Sequence, residues 1–118
     1  MGYKFERVVD GLVKYIDEEL FPKMNNMQEI VGRIVVGRAV VNSEKIKTSL
    51  VNNEIVRTFG FVDKDGNVDV HGLAEDLKKE IDRRGSLVVS IPMFGKITFT
   101  AHDVDVVRQY IEGGVIYP

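Results

Sequence analysis

DGNVDVHGLAEDLKKEIDRRGSLVVSIPMFGKITFTAHDVDVVRQYIEG, residues 65–113, is the stretch that decides the fold. Its punctuation reads turn, helix, strand, tight loop, strand, helix. Asp65-Gly66 between short apolar runs is hairpin-turn chemistry, because glycine takes positive φ without a steric penalty. Asp69 is placed to cap a helix whose apolar positions are Leu73, Ala74, Leu77 and Ile81. Gly85 stands where a left-handed residue ends such a helix. Leu87, Val89 and Ile91 alternate with Val88 and Ser90, and Ile97 and Phe99 alternate with Lys96, Thr98 and Thr100. That period of two predicts a hairpin with one buried face per strand. Thr100 followed by Asp103 makes a capping-box-like start. Val104, Val107 and Ile111 then form the core stripe of a last helix, stopped by Gly113-Gly114.

The hairpin loop is Pro92-Met93-Phe94-Gly95. Loop tips face water and are normally polar. Two large apolar residues at the tip lead us to expect that Met93 and Phe94 form an interface, covered by a second subunit or a partner protein. Phe94 is the expected anchor, since aromatic residues are enriched among interface hot spots.

Working outward toward the N-terminus, Phe5, Val8, Val9, Leu12, Val13, Ile16 and Leu20 follow the i, i+3, i+4, i+7 spacing of an amphipathic helix. Pro22 ends it, having no N–H and disfavouring helix in the residue before it. Asn25-Asn26 can start a second helix over Met27 to Val41. The run Ile30–Val41 is rich in β-branched residues, which suits a strand, but alternation fails because Arg33 would share a face with Val31 and Val35. We therefore expect a helix, apolar on most sides and so central in the fold. Asn42-Ser43 breaks it. Ile46, Leu50 and Val51 predict a third helix to about Arg57, weakened by Asn52-Asn53. A small turn or hairpin follows over Phe59 to Val70.

The 118 residues carry 16 basic and 18 acidic side chains, net −2, and 44% are hydrophobic. A chain of this size and composition is expected to form one domain with a real core, helical over 3–58 and turn, helix, hairpin, helix over 59–113. The balanced charge supplies no general field for nucleic acid or anionic membranes. Without cysteine, disulfides, thiolate nucleophiles and Cys-based metal sites are excluded. The apolar run Ile30–Val41 is shorter than the about 20 residues a spanning helix needs and contains two arginines. No signal-peptide core is seen near Met1, and a cytoplasmic location is expected.

Five motifs compete with blander readings. Asp63, Asp65, Asn67 and Asp69 offer alternate oxygens, as a hard cation wants, but the glycine and the distal glutamate fall out of EF-hand register. A structural turn is expected. His71 and His102 fall at helix starts, with no partner that spacing can supply. Gly32 and Gly37 flank Ile34-Val35-Val36 without the Lys-Ser or Lys-Thr of a phosphate loop, and read as close helix packing. Lys78, Lys79, Arg83 and Arg84 interleave with Glu75, Asp76, Glu80 and Asp82, which reads as a solvated face of ion pairs. Three helices followed by a turn could also mimic a winged helix, with Lys45, Lys47 and Arg57 on the third helix facing DNA; Glu44 and Glu54 oppose this.

Asp65-Gly66-Asn67-Val68-Asp69-Val70, Gly95-Lys96-Ile97-Thr98-Phe99, His102-Asp103-Val104-Asp105 and Tyr110-Ile111 together resemble small uncharacterised proteins of bacterial prophages and mobile elements. The resemblance spans about the last 50 residues and implies no active site.

The expectation is thus an α+β fold, with N-terminal helices packed with a short antiparallel hairpin and two further C-terminal helices. The expected role is a non-enzymatic interaction or assembly protein, homo-oligomeric, with the resemblance implying a phage or mobile-element origin. It has no catalytic, cofactor or metal residues, and its partner is itself or another protein rather than a membrane. The alternative is a small DNA-binding regulator of winged-helix-like type.

Overall fold

The structure, a computed structural model, describes residues 2–91 and 95–113. The fold is α+β, as the sequence predicts. The described elements run β1 (Tyr3–Lys4), α1 (Phe5–Tyr15), α2 (Asn26–Val41), α3 (Ser43–Val51), α4 (Glu54–Phe59), β2 (Asn67–Val68), α5 (Val70–Arg84), β3 (Leu87–Ile91), β4 (Gly95–Phe99) and α6 (Ala101–Glu112).

Helix boundaries follow the local chemistry. The Asn25 side chain accepts from the Gln28 amide at 2.9 Å, and Gln28 reciprocates to the Asn25 amide at 3.2 Å, closing a capping box on α2. Asp69 Oδ1 accepts from the Gly72 amide at 3.0 Å and starts α5. Thr100 and Asp103 close the box on α6. Gly85 at φ 89° and Gly113 at φ 68° end those two helices.

Three expectations need correction in detail. The first helix does not run regularly to Leu20. From Ile16 to Leu20 it widens into a π turn, in which the Phe21 amide donates to the Ile16 carbonyl, and a 3-10 turn over Phe21–Lys23 carries Pro22 in its first positions. A proline cannot continue the four-residue ladder, and the wider turn reroutes the carbonyls ahead of it. The third helix is two: Asn53 takes the Ile55 and Val56 amides on its side-chain oxygen at 2.9 and 3.1 Å, which caps α4 and breaks the run. Residues 3–4, expected to be helical, form a strand paired antiparallel with β2, Tyr3 opposite Val68.

The core is built around α6. On one side α6 meets α1, where a Cβ added to Gly11 would lie 2.6 Å from Ile111 Cα. Phe5, Val8, Val68, Val70 and Ile111 pack there. On the other side Val104 packs with Ala74 and Ile81 of α5, backed by Leu77 and Leu87. Arg7 of α1 fastens the end of α6: its Nε donates to the Ile111 carbonyl at 3.0 Å and a terminal nitrogen donates to the Glu112 carbonyl. These carbonyls lack intrahelical partners and carry the negative end of the helix dipole.

The hairpin β3–β4 keeps the expected register, Leu87 opposite Phe99 and Ile91 opposite Gly95. Its buried face is shorter than alternation suggests. Leu87, Ile97 and Phe99 are half-buried, but Val89 is exposed, because only the end of the hairpin next to α5 and α6 has a helix beneath it. A larger correction concerns α2. It is helical as expected, yet not central: Gly32 is its one buried residue. Gly32 is buried, whereas a Cβ on Gly37 would meet nothing within 4 Å, so the close packing expected at these glycines does not hold at Gly37.

Candidate functional site

Two apolar surfaces on the α2–α4 segment stand out. The first is an open cleft facing α1. Between α1 and the α2–α4 helices lies a cleft of about 540 Å³, walled by Val9, Leu12 and Ile16 from α1, Val36 and Val40 from α2, Ile46 and Leu50 from α3, and Phe59 from α4. It offers no charged group, and Ser43 is its one polar side chain.

The second surface faces outward. Met27, Ile30, Ile34 and Val41 are 71%, 56%, 54% and 84% exposed, and Gly37 lies between the last two with open space above it. The spacing 27, 30, 34, 37, 41 alternates three and four residues, the a/d spacing of a helix that pairs with another helix. At about 100° per residue this stripe sits roughly opposite Val36, Ala39 and Val40, which line the cleft. One helix therefore shows apolar faces both inward and outward. Ile55 and Phe59 on α4 are exposed as well, Phe59 on the wall of the cleft. Contiguous patches of this size mark interaction sites on folded proteins.

The polar residues near α2 are committed to holding it. Arg33 stacks 4.8 Å from the Phe21 ring centroid and pairs with Glu29 at 2.9 Å and Asp17 at 3.4 Å. The hydrogen bond to Glu29 raises its already high pKa. Beside the π turn, Tyr110 donates to Glu19 at 3.0 Å and meets Tyr15 edge-on at 5.9 Å. Burial, then the Glu19 hydrogen bond and charge, push the Tyr110 phenol up to about 12.

The residues singled out from the sequence scatter. His71 and His102 are exposed in the first turns of α5 and α6. Asp63 turns its carboxylate onto its own loop, taking the Asp65 and Asn67 amides at 2.9 Å each and the Asn67 side chain at 3.1 Å. Among the described residues no group of three or more His, Asp or Glu is arranged to hold a metal ion. Arg83 and Arg84 both pair with Glu80 on the solvated face that the charge pattern predicts, whereas Lys78 is half-buried and pairs with Glu75 and, across to α6, with Asp105. Lys47 is drawn to Glu6 at 3.0 Å and its stem lies over Gly66, so it does not point outward from α3. Met93 and Phe94, expected to form the interface, lie outside the described residues, as does Pro92.

Sequence reasoning expected the whole of α2 to be central in the fold and so missed the outer stripe. The signal for an outer stripe was the three-four alternation, masked because Val31, Val35 and Val36 make the helix apolar around most of its circumference. No described helix is long and apolar enough to cross a membrane. In comparisons with protein families, curated proteins and solved structures, nothing matches this chain.

Proposed function

We propose that the chain is a non-enzymatic interaction and assembly protein that associates with copies of itself in the cytoplasm. The observation that carries this reading is the outer face of α2, where four large apolar side chains are more than half exposed. Leaving a residue of this kind in water forgoes about 1.5–3 kcal/mol relative to full burial, and a stripe of them is a standing aggregation hazard unless something covers it. The capping box and the Arg33 pairs support α2 as a helix, so the stripe is a shaped surface. The C-terminal resemblance to prophage and mobile-element proteins enters the same proposal as a pointer to origin.

Size-exclusion chromatography with light scattering across a dilution series tests this. The expected mass is a multiple of 13.3 kDa at high concentration, falling toward 13.3 kDa on dilution. A constant single-chain mass across the series would sink the proposal.

A further inference from the structure

From the geometry of this stripe we infer that its occupant is the α2 of a second copy, lying antiparallel, with Ile34 of each copy seated over Gly37 of the other. The inference rests on the assembly reading above and adds the partner and its orientation.

Size is the first argument. From the exposures of Ile30, Ile34 and Val41, the residues that face the partner helix in this pairing, each copy offers on the order of 350 Å², so the layered centre of a pair buries roughly 700 Å². That is the size of a weak, transient contact, and it implies a pair that separates on dilution.

Shape is the second. In antiparallel helix pairs a positions layer against d positions. With Met27, Ile34 and Val41 at a and Ile30 and Gly37 at d, one antiparallel register sets Ile34 against Gly37 and Ile30 against Val41, each layer made twice. The open space over Gly37, with nothing within 4 Å of a Cβ there, is what a facing Ile34 would fill. Large opposite small lets the two backbones approach closely.

Charge is the third, and it selects the orientation. Flanking positions set the direction of helix pairs. A parallel pair would bring Arg33 of each copy beside Arg38 of the other, two like-charge contacts with no acid on the facing flank. The antiparallel register moves Arg38 beside Val31 and Arg33 beside Val40. The exposed pairs of Arg33 with Glu29 and Asp17 reduce the parallel repulsion without removing it.

The chain has no cysteine, so single cysteines report cleanly. The experiment compares full-length Ile30→Cys, full-length Val41→Cys and their equimolar mixture under mild oxidation or with a short bismaleimide. The expected result is a crosslinked heterodimer in the mixture, several-fold above the self-crosslinked product of either variant alone. Self-crosslinking of each variant that is no greater in the mixture means parallel pairing and overturns the inference. An unmutated chain that associates in light scattering while neither variant crosslinks also overturns it, leaving assembly through another surface intact. A single-chain mass throughout overturns both readings. Ile34→Glu should reduce the associated fraction at least tenfold with an unchanged circular-dichroism spectrum; where that variant loses helicity, Ile34→Gln replaces it, and the crosslinking result stands regardless. Binding of a single-chain species to phosphatidylcholine–phosphatidylglycerol vesicles, abolished by Ile34→Glu, would hand the stripe to a lipid surface and overturn the pairing.

Discussion

Asp63 organises its turn with one carboxylate, and two consequences can be measured. Its pKa is held below the ordinary value of 3.8, first by the Asn67 amide and side chain and then by the Asp65 and Gly66 amides. A depressed folded-state pKa contributes stability that is present above the unfolded value and is lost as pH falls through the folded one. Thermal melts should therefore drop on acidification through that range, and Asp63→Asn should flatten the drop. Because the oxygens already serve the loop, micromolar calcium should leave the melting temperature unchanged; a saturable one-site rise would show a cation site instead. Tyr110 acts at the other end of the scale. With its phenol raised from 10 to about 12, its contribution is complete below pH 10 and disappears as pH rises through about 12. Tyr110→Phe should remove that alkaline component, and the absorbance of tyrosinate in the unmutated chain should show Tyr110 titrating late, alongside Tyr15, whose phenol burial also pushes up.

At the scale of elements, the crossing of α1 and α6 is the tightest joint. Gly11→Ala pushes a methyl to within 2.6 Å of the Ile111 backbone, which cannot swing aside as a side-chain end would. We expect a loss of about 1–3 kcal/mol, read from urea unfolding. Asn25→Ala, which removes the α2 cap, should cost about 1 kcal/mol. Most helix starts and stops were legible in the sequence because they depend on local pairs: Asn25 with Gln28, Asp69 with Gly72, Thr100 with Asp103. The hairpin register was legible from alternation. The π turn before Pro22 and the pairing of Tyr3 with Val68 were not, since the first is a compromise along one ladder and the second joins residues far apart in the chain. The position of α2 was misread for a different reason. Apolar composition reports that a face will be covered, but not whether the cover belongs to the same chain.

For the whole molecule, solution behaviour separates the functional readings. Association through an apolar stripe should persist or strengthen in concentrated sulfate, whereas phosphate contacts weaken steeply with salt. We expect no sequence-specific duplex binding at physiological salt; sub-micromolar binding that weakens on charge reversal of Lys45, Lys47 and Arg57 would favour the winged-helix alternative. One joint also shapes how the chain is made. Arg7 and the Ile111 carbonyl are 104 positions apart, and the Gly11 crossing is nearly as distant. Closing a loop of that length costs on the order of 4 kcal/mol in chain entropy. During synthesis α1 emerges from the ribosome with its seat on α6 still untranslated. Its Phe5–Val8 face, and the outer stripe of α2, are therefore displayed together on the nascent chain before the last helix arrives. Neighbouring chains on one message would meet with their apolar surfaces bare, so the helix proposed to join finished copies is also where early, off-pathway clumping would begin.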